Sequence, residues 1–133
     1  MPSPVELAVL TFIQAWCEPD PAVRTRLLEA CFSADGRFVT RGRVFQGRAA
    51  LLEEMARVRA DPELVDIRVA SAIDARGTTF RYRGIAEMRD GRLLEALDVG
   101  EIDANGRICT VLTFAGPLGE ADTKPPTPAS ANT

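Results

Sequence analysis

The chain has 133 residues with 16 basic and 19 acidic side chains, and its net charge of −3 argues against a surface for nucleic acid or an anionic membrane. Apolar residues make up 46% and charged residues 26%, the balance of a soluble globular domain large enough for one proper core. Histidine is absent, which excludes Ser-His-Asp and Cys-His catalysis, the common zinc sites and a histidine pH switch.

The N-terminus, MPSPVE, lacks the basic segment that opens a signal peptide. Val5, Ala8, Val9, Phe12, Ile13 and Trp16 recur at helical spacing, so residues 4–18 are predicted to form an amphipathic helix. Asp20 is placed to cap a second helix over 21–32, with Pro21 at its first position and Val23, Leu27, Leu28 and Cys31 turned inward. Residues 33–36 read as a turn into a short strand over 37–40, and a loop through Gly42 and Phe45 follows. A third helix is predicted over 48–59 on Leu51, Leu52, Met55, Ala56 and Val58, with Glu53 and Glu54 on its solvated side.

From Leu64 the apolar period drops to two and stays there. Val65, Ile67, Val69, Ser71 and Ile73 alternate with polar or small residues as far as Asp74, and residues 75–77 turn the chain. The next strand places Phe80, Tyr82, Gly84, Ala86 and Met88 on one face. Its other face carries Thr79, Arg81, Arg83, Ile85 and Glu87. Arg81, Arg83, Arg89 and Arg92 interleave with Glu87, Asp90 and Glu95, the mixed signs of a solvated sheet face. Asp90-Gly91 is a hairpin signal, and it leads into the hairpin of residues 92–114 around which the chain is organised. There Leu94, Ala96, Asp98, Gly100 and Ile102 share one face, so a single carboxylate sits mid-strand among small and apolar neighbours. Small residues opposite Phe12, Trp16 and Phe80 are expected to leave volume beside it.

Helices grouped ahead of a meander predict an α+β domain over residues 1–117, with three N-terminal helices packed on a strongly curved, mostly antiparallel sheet that forms a cone-shaped pocket. Residues 118–133 are polar and Pro-rich, and a disordered tail is expected. No apolar run reaches the roughly 20 residues of a membrane span. Cys17, Cys31 and Cys109 lack metal-ligand spacing and each lies in an apolar run, which predicts free thiols in a reducing, cytoplasmic setting. With no P-loop, G-x-G-x-x-G or C-x-x-C motif, neither metal nor cofactor is expected.

Four stretches in this order resemble the nuclear transport factor two-like superfamily, and within it the SnoaL-like, ketosteroid-isomerase-like proteins. They are FIQAW in the first helix, DPAVRTRLLEACFSADGRFV, GRAALLEEM, and the closing LDVGEIDANGRICTVLTFAGP. The resemblance covers residues 5–117. It implies a small hydrophobic ligand (a ketone, steroid or polyketide-like molecule) in the cone, and a homodimer through the outer sheet face.

Asp98 matches the protonated aspartic acid with which ketosteroid isomerases stabilise an oxyanion. Their base position falls on Thr40 or Arg41 here, and their helix-1 tyrosine on Phe12. Limonene-type epoxide hydrolases are similar too, but Ala96 stands where they have arginine, and Thr113 falls near their second carboxylate.

Two readings follow. In the first, Asp98 acts as acid or oxyanion donor with Tyr82 assisting, in a cofactor-independent isomerase, lyase or cyclase. Phe12, Trp16, Phe38, Leu52, Met55, Phe80, Ala96 and Thr113 then contact the ligand. In the second, Asp98 only accepts hydrogen bonds from Tyr82, an arginine or a backbone amide within the sheet, the aromatic residues are plain core, and the chain is a non-catalytic binding or dimerisation module.

Overall fold

In the computed structural model, residues 1–120 are described. Helix α1 (Pro4–Cys17) starts at a reciprocal cap. The Ser3 hydroxyl accepts from the Glu6 amide at 3.1 Å, and the Glu6 carboxylate accepts from the Ser3 amide at 3.5 Å. Helix α2 (Pro21–Cys31) follows, with Asp20 accepting from the Ala22 amide at 2.9 Å. Between them Arg24 is buried. Its Nε and Nη2 donate to the Glu18 carbonyl at 3.0 and 2.8 Å, and Nη2 reaches the Pro19 carbonyl at 3.3 Å. The guanidinium therefore closes the end of α1, where free carbonyls and the helix dipole both favour a cation. Arg24→Ala is expected to lower stability by about 2 kcal/mol, read as a fall in the urea midpoint. An unchanged midpoint would mean that water serves those carbonyls equally well.

Residues 33–36 do not turn. Strand β1 runs over Phe32–Val39 and begins directly at the end of α2. Phe32 is fully buried opposite Ile108, and the turn-like composition is absorbed as a register shift between Phe32 and Arg37. A Cβ at Gly36 would lie 2.6 Å from the Phe32 ring, so glycine is what lets the ring fold back over the strand. The expected loop through Phe45 contains a further strand, β2 (Val44–Gln46), paired antiparallel with β1 around a turn closed by the Thr40 amide on the Arg43 carbonyl. Helix α3 (Gly47–Arg59) buries Leu51 and Met55. It is tied to β1 by Arg48 Nε donating to the Phe32 carbonyl at 2.8 Å.

The expected long strand up to Asp74 is split into β3 (Leu64–Val69) and β4 (Asp74–Arg76). One side chain marks the break: the Ser71 hydroxyl takes the Arg83 amide of β5 at 2.8 Å, filling the place of a ladder acceptor and letting the chain leave the sheet. Strands β5 (Thr79–Met88), β6 (Leu93–Ile102) and β7 (Ile108–Ala115) complete a mixed sheet in the order β2-β1-β7-β6-β5-β3, with β4 also on β5. Only β1 and β7 pair in parallel, and the sheet stays open. The three helices pack on its concave face, as expected. An aromatic cluster joins them there: Phe12 lies 5.9 Å from Phe32 and 6.2 Å from Trp16 and Phe38, ring centre to ring centre.

Among the described residues no helix is long and apolar enough to cross a membrane. The three cysteines are free. Residues 118–120 are exposed and outside any helix or strand, and the remainder of the expected tail, 121–133, lies outside the described residues.

Candidate functional site

Register builds the site. Tyr82 on β5 pairs with Asp98 on β6, and Asp98 pairs with Thr113 on β7, so one row across three adjacent strands presents three polar side chains to the same concave face. The Tyr82 hydroxyl donates to Asp98 Oδ2 at 2.8 Å, and the Thr113 hydroxyl donates to Oδ1. Asp98 is 8% exposed and Tyr82 2%. Loss of water pushes the Asp98 carboxyl above its ordinary range, and the bonds from Thr113 and Tyr82 only partly pull it back. Burial also drives Tyr82 well above the usual phenol value, reinforced by the charge of Asp98, so its hydroxyl keeps its proton at neutral pH.

A cavity of about 140 Å³ opens beside Asp98. Its walls include Ile13 and Trp16 from α1, Phe38 from β1, Ile67 from β3, and Ala96 and Thr113 flanking the carboxyl. The volume comes from missing side chains: Gly84 pairs with Ala96 and Ala86 with Leu94 under the bulk of Trp16. Gly100 contributes none. A Cβ there would come within 2.4 Å of the Thr110 carbonyl and 2.5 Å of Phe80 Cζ, so that glycine makes room for the neighbouring strand and an aromatic ring and not for a ligand.

Of the residues singled out from sequence, Asp98, Trp16, Phe38, Ala96 and Thr113 border the cavity. Tyr82 stands behind the carboxyl, touching it but not the cavity wall. Phe12, Met55 and Phe80 are buried in the core, and Leu52 is half-buried against it; none of the four borders the cavity. Ile13 and Ile67 do border it without having been singled out. Ile13 sits one turn before Trp16 and Ile67 lies on the alternation of β3, so both had a signal in their periodicity. Asp98 is the only ionisable side chain on the cavity wall among the described residues. On the opposite sheet face the arginines are solvated and paired: Arg81 with Asp74 at 2.9 Å and Arg83 with Glu95 at 3.6 Å.

No family model matches the chain, and no curated protein matches it. Solved structures do. The chain is similar to a candidate isomerase of the SnoaL-like family from Agrobacterium tumefaciens strain C58, 22% identical, with a TM-score of 0.77 over 86% of this chain and 98% of that one. A protein of unknown function with a cystatin-like fold from Methylobium petroleophilum PM1 is 19% identical, with a TM-score of 0.71 over 91% and 82% of the two chains. A nuclear transport factor two-like protein of unknown function from Exiguobacterium sp. 255-15 is 17% identical, with a TM-score of 0.64 over 84% and 99%. At these identities the likeness is one of fold.

Proposed function

We propose that this chain, which has the nuclear transport factor two-like fold shared by SnoaL-like proteins, binds a small hydrophobic carbonyl compound of the ketone, steroid or polyketide-like kind in its cone. Asp98 is its acid/base group, in a cofactor-independent isomerase, lyase or cyclase reaction. One observation carries the reading: a carboxyl bordering a cavity is buried enough to hold its proton above the usual range. In its ionised form it takes a proton from the carbon next to the ligand's carbonyl, and the carboxylic acid so formed donates to the enolate oxygen as charge builds there. The same proton then passes to the enolate, at its oxygen or at a carbon, which restores the carboxylate. Tyr82 is a positioning residue, since its hydroxyl holds Asp98 from behind.

A non-catalytic binding role is favoured by a separate observation, the lack of a second ionisable group on the cavity wall among the described residues. Two measurements decide. Carboxyl NMR on the native chain, with Asp98→Asn as the assignment control, is expected to show Asp98 titrating above the reference of about 3.9. A value at or below it sinks the acid/base mechanism. Ala96→Leu, which fills the cavity, is expected to remove binding of a cyclic ketone without unfolding the domain. Binding that survives it would place the ligand elsewhere.

The reading extends to a homodimer through the outer sheet face, supported by Leu93 and Leu97, which are exposed there. Sedimentation of Leu97→Glu against the native chain tests it. A cytoplasmic location is supported by the three free thiols.

A further inference from the structure

A second cleft, of about 430 Å³, opens where β1 and β7 end. Thr40, Arg41, Leu112, Phe114 and Leu118 line it, and Thr113 borders both this cleft and the cone cavity. The cone cavity is small. Ligand pockets commonly run to about 300–1,000 Å³, and an apolar cavity near 150 Å³ holds about one benzene ring. A ligand with its reacting atoms beside Asp98 and more than one ring of substance has to continue past the wall, and the cleft beyond Thr113 adjoins that point.

The cleft has a definite chemistry. Its sides are apolar and open, with Phe114 57% and Leu118 99% exposed. Its polar end is Arg41. The arginines Arg68, Arg81, Arg83 and Arg92 are each held by a carboxylate within 3.6 Å. Arg37, Arg41 and Arg43 on the β1–β2 hairpin have no ion pair among the described residues. Arg43 lies over the Phe45 ring at 4.6 Å, which leaves Arg41 as the uncommitted cation on the cleft wall. An acidic chain thus carries a local positive spot on the wall of an apolar cleft.

We propose that the cleft takes the carboxylate end of the same ligand whose apolar body occupies the cone. The ligand class is then a small amphipathic carboxylic acid: one ring or branched body, a short apolar linker, and a carboxylate bound by Arg41, whose planar fork suits two parallel hydrogen bonds. The inference rests on the cone as a ligand site. Placing the anion at Arg41 also keeps it away from Asp98, whose ionised form would repel it.

Calorimetry on the full chain tests this with phenylacetate, phenylbutyrate and phenylhexanoate, each against its matched primary alcohol. One linker length is expected to bind best, with the carboxylate at least about 5-fold tighter than the alcohol at low salt. Arg41→Gln is expected to abolish that preference and leave the alcohol's affinity unchanged. Equal affinities in the native chain, or a preference that survives Arg41→Gln, overturn the proposal. Alcohols that bind without any carboxylate preference, and lose binding in Ala96→Leu, overturn it while sparing the cone reading. If neither series binds, the proposal falls, and binding of the cyclic ketone decides the cone reading separately. A dimer that covers the cleft, detected by sedimentation together with no carboxylate preference, also overturns it.

Discussion

Asp98→Asn is expected to leave the domain folded and to lower turnover of a carbonyl substrate by about 10²–10⁴-fold, the share that a positioned acid/base group contributes. The fold survives because an asparagine of the same shape still accepts from one of the flanking hydroxyls and donates its amide to the other. Turnover falls because the amide neither gives up nor takes a proton. The same substitution has a thermodynamic signature that needs no substrate. Burial holds the folded carboxyl above the 3.8 of an ordinary aspartate. Between those two values the folded chain binds more protons than the unfolded one, so this group destabilises the fold progressively as pH rises through the window, and fully above it. Asparagine carries no such term. The thermal midpoint of Asp98→Asn relative to the native chain is therefore expected to climb as the pH rises above the 3.8 of an ordinary aspartate. A constant or falling difference between the two melting curves would show that Asp98 ionises freely in the fold, and the acid/base role would go with it.

Phe12→Ala is expected to cost about 3–5 kcal/mol, a large part of the roughly 5–15 kcal/mol that a domain of this kind has in total. Phe12 is 1% exposed and touches Phe32, Trp16 and Phe38, so its removal opens a hole between α1 and β1 that stiff aromatic neighbours cannot close. Phe12→Leu, which keeps most of the volume, is expected to cost under about 1.5 kcal/mol. Urea unfolding of both variants measures the difference. A loss near 1 kcal/mol for alanine would mean that the cluster repacks, and because Trp16 and Phe38 also form cavity walls, the cone would then change shape with it.

What could be read from the sequence follows how local the deciding interactions are. The alternation along β5 and β6 put Tyr82 and Asp98 on one face because a strand with one buried side cannot slip by a residue without turning its apolar set to water. The helix starts were legible in Ser3, Asp20 and Pro21, whose partners lie within the next turn. Thr113 sits opposite Asp98 by a register that includes an irregularity between Glu101 and Ile102, which no count along the sequence supplies. The length of β1 was hidden for a similar reason. Ser-Ala-Asp-Gly has the composition of a turn, and distant pairs on either side of it, Phe32 with Ile108 and Arg37 with Thr110, hold it extended. Likewise the break after β3 depends on one hydroxyl, that of Ser71, meeting an amide on another strand. At the site, the carboxylate and its small neighbours were legible. So was Tyr82 as one of the possible donors to that carboxylate. The separation of cavity wall from solid core was not, since it depends on how far α1 stands above the sheet.

The parallel pairing of β1 with β7 sets a timetable for synthesis. A strand from the first third of the chain, already followed by its own hairpin partner and helix, must wait for the last strand before its other edge is filled. Until Ile108–Ala115 leaves the ribosome, Phe32 and Phe38 have no sheet neighbour on that side, and the apolar faces of α1 and α3 have only a partial floor. Long-range closure of this kind is slow beside the microsecond formation of helices and local hairpins. The nascent chain therefore reaches its cone only after β7 has been made. A product stopped at the β6–β7 turn would carry nearly all of the helices and strands yet expose much of the surface that they exist to cover.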